Sequence, residues 1–194
     1  MQTVVASAQA LKEWAVTVHA LAEGQQILLL RKGGIREEGR EFRVEEQAFL
    51  LYPTYEHQRA DLLQPPYRAA LDAVLADQPA AGTVRIGHWA EVTDTVETLD
   101  AATVAALAPH YIWTTNYAEE RLRWRPKKPL SIMLLRVYRL AAPQTVPVLP
   151  TYGGCKSWLT LEQPLSLEGL QPVLDDASYA ARRAAVLDAL RRPA

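Results

Sequence analysis

Arg121-Leu122-Arg123-Trp124-Arg125 alternates basic and apolar side chains with a period of two. Read as an extended segment, it puts three guanidiniums on one face and Leu122 and Trp124 on the other. Lys127 and Lys128 follow, Arg136 and Arg139 stand on the next predicted strand, and Tyr111, Trp113 and Tyr117 lie just upstream. Contact with a phosphate chain needs clustered cations, and unpaired bases need aromatic platforms. The segment therefore reads as a nucleic-acid contact. Arg121, Arg123, Arg125, Lys127 and Lys128 would meet phosphates, and Trp113, Tyr117 or Trp124 would stack on a base. The competing reading is a solvated face, its charges paired with Glu119 and Glu120 and its rings in the core.

Other residue types suggest other chemistry. Arg31-Lys32-Gly33-Gly34 and Tyr152-Gly153-Gly154-Cys155-Lys156 are glycine-containing loops with a lysine, a combination that lets backbone N–H groups approach an anion. Neither matches a phosphate loop or a dinucleotide fingerprint, and plain turns are the alternative. Pro53 to Gln58 is a dense polar run after an apolar strand. Tyr55, Glu56 and His57, with Lys32 and Lys156, make a second candidate site, suited to an enzyme acting on a nucleotide or small molecule. His19, His57, His88 and His110 lack metal-ligand spacing, and the single Cys155 cannot build a zinc site, so no metal site is expected. Arg40 to Glu46 comes close to a Nudix box, but its glutamates are out of register. A restriction-type nuclease would hold Mg²⁺ with an Asp and a Glu-x-Lys. No Glu-x-Lys occurs; Glu41-Phe42-Arg43 has Arg in place of Lys, and Glu45, Glu46, Asp94 and Glu97 are the remaining candidates. Mg²⁺ belongs to that alternative alone, and otherwise no cofactor is expected.

The elements that must position these residues follow from pattern. The chain has 194 residues, 49% hydrophobic and 22% charged, as expected of one globular domain over residues 1–194. A net charge of -1 excludes a histone-like protein and an acidic tail but permits a local basic patch. One cysteine excludes a disulfide framework. No apolar run is long enough to cross a membrane and the first ten residues lack signal-peptide features, so the expected location is the cytoplasm. Residues 5–13 read as a helix, 16–19 and 27–31 as a β-hairpin, 32–43 as a loop and 49–52 as a strand. Pro65-Pro66 opens a helix with Tyr67, Leu71, Val74 and Leu75 on one face. Strands are predicted over 84–92, 130–140 and 159–161, with an Ala-rich helix over 101–108 capped by Asp100. The Pro-rich stretch 143–152 reads as extended and irregular. Asp175 or Asp176 starts a C-terminal helix with Tyr179, Val186, Leu187 and Leu190 as its buried stripe. Together these give an α+β fold: a small mixed or antiparallel sheet, open to curling into a partial barrel, with inserted helices and a C-terminal helix.

Ala10-Leu11-Lys12-Glu13-Trp14, Leu28 to Ile35 and Phe49 to Gln58 resemble the bacterial family called domain of unknown function 1802. So do Trp113, Tyr117, Arg121 to Trp124, Leu135 to Leu140 and Gly153-Gly154-Cys155-x-Ser157-Trp158, so that the resemblance spans nearly the whole chain. It implies no established activity. Some members resemble fusions with a restriction-endonuclease domain of the Mrr type, which implies a place in restriction-modification or DNA defence. The expectation is thus a nucleic-acid-associated binding module with DNA or RNA as partner, no membrane partner, and homo-oligomerisation left open. A Mg-dependent nuclease and a small-molecule or nucleotide enzyme are the alternatives, and whether the protein is an enzyme stays open.

Overall fold

A computed structural model describes residues 6–32, 46–154 and 156–191. Seven strands form one mixed sheet in the order β2-β5-β4-β3-β1-β6, with β7 paired to β5. The strands are β1 (Ala6–Trp14), β2 (Leu28–Arg31), β3 (Ala48–Thr54), β4 (Thr83–Thr98), β5 (Leu130–Pro147), β6 (Trp158–Ser166) and β7 (Gln171–Pro172). The helices are α1 (Ala15–Ala22), α2 (Arg68–Ala76), α3 (Ala101–Ala106), α4 (Thr115–Arg123) and α5 (Asp176–Arg191). β1 and β3 run parallel, and every other pairing is antiparallel. This is the expected α+β fold, with the sheet left open at β2 and β6. No helix among the described residues is long and apolar enough to cross a membrane.

Strong local signals produced the expected elements. Asp100 caps α3 by accepting from the Ala102 and Thr103 N–H groups at 3.2 and 2.9 Å. β5 is buried without a break from Leu130 to Val137, as a strand covered on both faces must be. On β1 and β3, alternate residues enter two cores. Leu11 and Leu51 join the core under the helices, while Ala10, Leu50 and Tyr52 join one with Ile86, Trp89, Leu140 and Leu161.

Four expectations are corrected. Residues 6–14 form a strand, because pairing to β3 on one side and β6 on the other outweighs the helical preference of Ala, Leu, Lys and Glu. Residues 15–22 form a helix, and its residues other than His19 are buried, so its valines carry no usable period. The first residues of α1 are held by the Gln58 side-chain oxygen, which accepts from the Val16 N–H at 2.8 Å. β2 consequently has no strand before it to make a hairpin and pairs with β5 instead. Residues 143–147 continue β5: Pro143 falls where the β4–β5 register shifts, a position that needs no ladder donor, and Pro147 ends the strand. Most of the loop expected over 32–43 lies outside the described residues.

Three ion pairs shape the whole. Arg136 of β5 pairs with Asp176 at 2.7 Å and lies 4.7 Å from the Tyr179 ring centre, while Arg183 reaches Asp94 of β4 at 2.6 Å; together they fasten α5 to the sheet. Arg31, ending edge strand β2, pairs with Glu13 of β1 at 2.8 Å. Three strands separate β2 from β1 in the sheet order, so a flat sheet would hold them about 19 Å apart. The sheet therefore curls strongly without closing.

Candidate functional site

The basic segment is built around α4. Thr114 caps that helix, its hydroxyl accepting from the Tyr117 N–H at 3.3 Å. The cations Arg121 and Arg123 then fall in its last turn, where the carbonyl end of a helix favours positive charge. Lys32, buried just after β2, adds to this end by donating from Nζ to the Leu122 carbonyl. Burial lowers the Lys32 pKa. The chain leaves the helix at Trp124, turns at Arg125 with φ 53°, and closes the turn with the Lys128 N–H on the Arg125 carbonyl at 2.9 Å.

This helix corrects the extended reading of Arg121 to Arg125. The three guanidiniums do not share a face. Arg121 is half-buried and donates from Nε to the Tyr117 hydroxyl at 2.6 Å. Arg123 is exposed and pairs with Glu119 at 2.6 Å. Arg125 lies 4.8 Å from the centre of the Trp124 ring. Lys127 is exposed and Lys128 is half-buried. Of the three rings expected to stack on bases, Trp124 alone is exposed; Trp113 is 2% exposed and Tyr117 7%. Those two are sealed because they pack as a run of rings, Trp14 to Tyr117 to Trp113 to Tyr111, with centres 5.1, 5.8 and 5.8 Å apart.

Behind α4 lies a charged pair whose contact the sequence did not disclose. The Arg31 Nη1 donates to Glu13 at 2.8 Å and to the Lys12 carbonyl at 3.3 Å, with both charged side chains less than a tenth exposed. The other Glu13 oxygen accepts from the Trp14 N–H at 2.8 Å. Burial lowers the Arg31 pKa; Glu13 opposes that shift and neighbouring Arg121 adds to it. Burial raises the Tyr117 pKa, so its hydroxyl keeps its proton at neutral pH. The available signal was a charged residue with apolar neighbours in each of two segments, Glu13 beside Leu11 and Trp14 and Arg31 after Leu28 to Leu30. Sequence alone could not tell that they meet.

The second candidate site is not assembled as one unit. Lys32 is engaged with the end of α4 through the Leu122 carbonyl. Tyr55 is half-buried after β3, with its pKa raised by burial, while Glu56 and His57 stand exposed on a turn where His57 has φ 62°. Lys156 borders an open cleft of about 410 Å³ with Gln9, Glu46, Thr151, Trp158 and Thr160. Gly33, Gly34, Cys155, Glu41, Glu45 and the stretch from Arg40 to Glu45 lie outside the described residues. For the nuclease alternative, Asp94 is committed to Arg183 and Glu97 is exposed. Among the described residues, no group of three or more His, Cys, Asp or Glu could hold a metal ion.

One histidine has a measurable consequence. The His88 Nε2 is buried and has no hydrogen-bond partner among the described residues. Burial and the nearby Arg139 hold its pKa down at about 4; His19 pushes the same way and Glu23 the opposite way. The unfolded chain takes up this proton near the ordinary value of 6.5, but the folded chain does not until about pH 4. Acid therefore favours unfolding: the contribution is complete above pH 6.5 and is lost as pH falls toward 4, on the order of 3 kcal/mol. His110, lowered by burial, acts in the same direction. His88→Gln is expected to flatten the fall of Tm between neutral pH and about pH 4.5. An unchanged slope would refute the assignment.

A family described as "Domain of unknown function (DUF1802)" matches residues 10–185. No curated protein and no solved structure matches the chain.

Proposed function

Starting from a chain that belongs to the DUF1802 family, whose description assigns no activity, we propose that it is a nucleic-acid-associated binding module. The contact is the end of α4 and the turn after it, the stretch that carries Arg121, Arg123, Trp124, Arg125, Lys127 and Lys128. One observation carries the reading: Trp124, 37% exposed, is a surface indole with the Arg125 guanidinium 4.8 Å from its ring centre, in a stretch of chain with four further cations within four residues of it. An indole accepts a base of any identity by stacking, and the cations attract the phosphates on either side. A base must be unpaired to stack, so single strands are the favoured form. Such binding would serve a restriction or DNA-defence assembly, the context the family resemblance implies.

Fluorescence anisotropy with single-stranded and duplex DNA and RNA, over a range of salt, tests the proposal. Affinity is expected to fall linearly with salt on logarithmic axes. Trp124→Ala should weaken single-strand binding by about 5- to 100-fold. Lys127→Ala with Lys128→Ala should lower the salt slope by about 1 to 2. Equal affinity across these variants, or binding indifferent to salt, overturns the reading.

A further inference from the structure

Arg121 differs from the other cations of this surface. Its Nε is held by the Tyr117 hydroxyl at 2.6 Å, and its guanidinium carbon lies 4.9 Å from the centre of the same ring. Tyr117 cannot drift, because Trp14 and Trp113 pack against it at 5.1 and 5.8 Å. The guanidinium is thus fixed at its inner side. Its two terminal nitrogens, Nη1 and Nη2, make no hydrogen bond or ion pair among the described residues. They form a planar fork of donors, spaced to meet two oxygens of one anion.

Two further features point at an anion. The Tyr117 hydroxyl accepts from Arg121 and retains its own proton, which has no acceptor among the described residues. That gives a third donor beside the fork. Arg121 lies near enough to Arg31 for its charge to add to the lowering that burial gives the Arg31 pKa, and Lys32 ends on the carbonyl of Leu122, the residue after Arg121. Glu13 balances part of this positive charge, and a bound anion would balance more.

We infer that Arg121 and Tyr117 form a seat for one terminal phosphate group. The two Nη donors of the fork and the Tyr117 hydroxyl beside it suit a phosphate monoester, which presents three oxygens and close to two negative charges. A phosphodiester presents only two free oxygens and one charge. The seat is recessed, with Arg121 half-buried and Tyr117 buried, so it admits a chain end more readily than a continuous backbone. The seat rests on the nucleic-acid reading only for the source of the phosphate; a free mononucleotide carries the same group.

The test compares oligonucleotides bearing a 5′-phosphate, a 3′-phosphate or neither, together with a nucleoside monophosphate alone. One phosphorylated end is expected to bind about tenfold or more tightly than the hydroxyl end. Arg121→Lys keeps the charge but loses the fork, and should bring that ratio close to 1. Tyr117→Phe keeps the ring, removes both hydroxyl contacts and should lower the ratio in part. Oligonucleotides that bind with salt dependence but without phosphate preference overturn the seat and leave the nucleic-acid reading standing. Mononucleotide binding that requires Arg121, with no affinity for hydroxyl-ended oligonucleotides, supports the seat and overturns that reading. A phosphate preference unchanged in Arg121→Lys refutes the fork.

Discussion

Glu13→Ala is expected to destabilise the fold by about 3–5 kcal/mol. The Arg31 guanidinium it faces is 9% exposed, and removal of the carboxylate leaves that charge with far too little solvent to replace it. The ionic contact at 2.8 Å is shorter than the one to the Lys12 carbonyl at 3.3 Å. The loss also reaches the backbone, because a Glu13 oxygen holds the Trp14 N–H where β1 passes into α1. Urea unfolding measures it. Adding Arg31→Met to Glu13→Ala should restore much of the stability, since an apolar pair leaves no buried charge. A loss below about 1 kcal/mol for Glu13→Ala alone would show that solvent reaches this pair.

Trp113→Ala should have a similar cost, about 3–5 kcal/mol, because a ring 2% exposed leaves a large cavity among Tyr111, Tyr117 and Leu63. Trp113→Phe is the informative companion. The indole Nε1 is buried without an acceptor among the described residues. Phenylalanine loses volume but also removes that unsatisfied N–H, which itself costs about 1–3 kcal/mol. The two effects oppose, so Trp113→Phe should cost well under half of the alanine change. Equal losses for the two variants would mean that the N–H is satisfied in solution.

Much of the architecture was legible where a local signal and the tertiary outcome agree. Asp100 before an Ala-rich run, the paired prolines at 65 and 66, the apolar run from Leu130 and the stripe of Tyr179 and Val186 all did what their chemistry favours. The chain from Ala6 to Ala22 reads in reverse because its local preferences lose. β1 is fixed by neighbours about 40 and about 150 residues away, and α1 is buried on almost every side. The basic segment was visible as composition, since five cations within eight residues need no structure to be seen. Its geometry was not visible. The alternation from Arg121 to Arg125 looks like a strand, yet the Thr114 cap sets a helix and sends neighbouring guanidiniums in different directions. The burial of Trp113 and Tyr117, and the meeting of Glu13 with Arg31, depend on the curl of the sheet, which no short window of sequence encodes.

The place of β1 in the sheet has a consequence for the newly made chain. Ala6 pairs with Ser166, so this flank of the strand lies open until β6 has left the ribosome. At about 5–20 residues per second, that delay is on the order of ten seconds. Ala10 and Leu11, both fully enclosed in the finished molecule, spend the interval beside an unfilled backbone ladder. An unpaired ladder beside apolar residues is the kind of edge that pairs with another chain, so the interval is the aggregation-exposed step of synthesis.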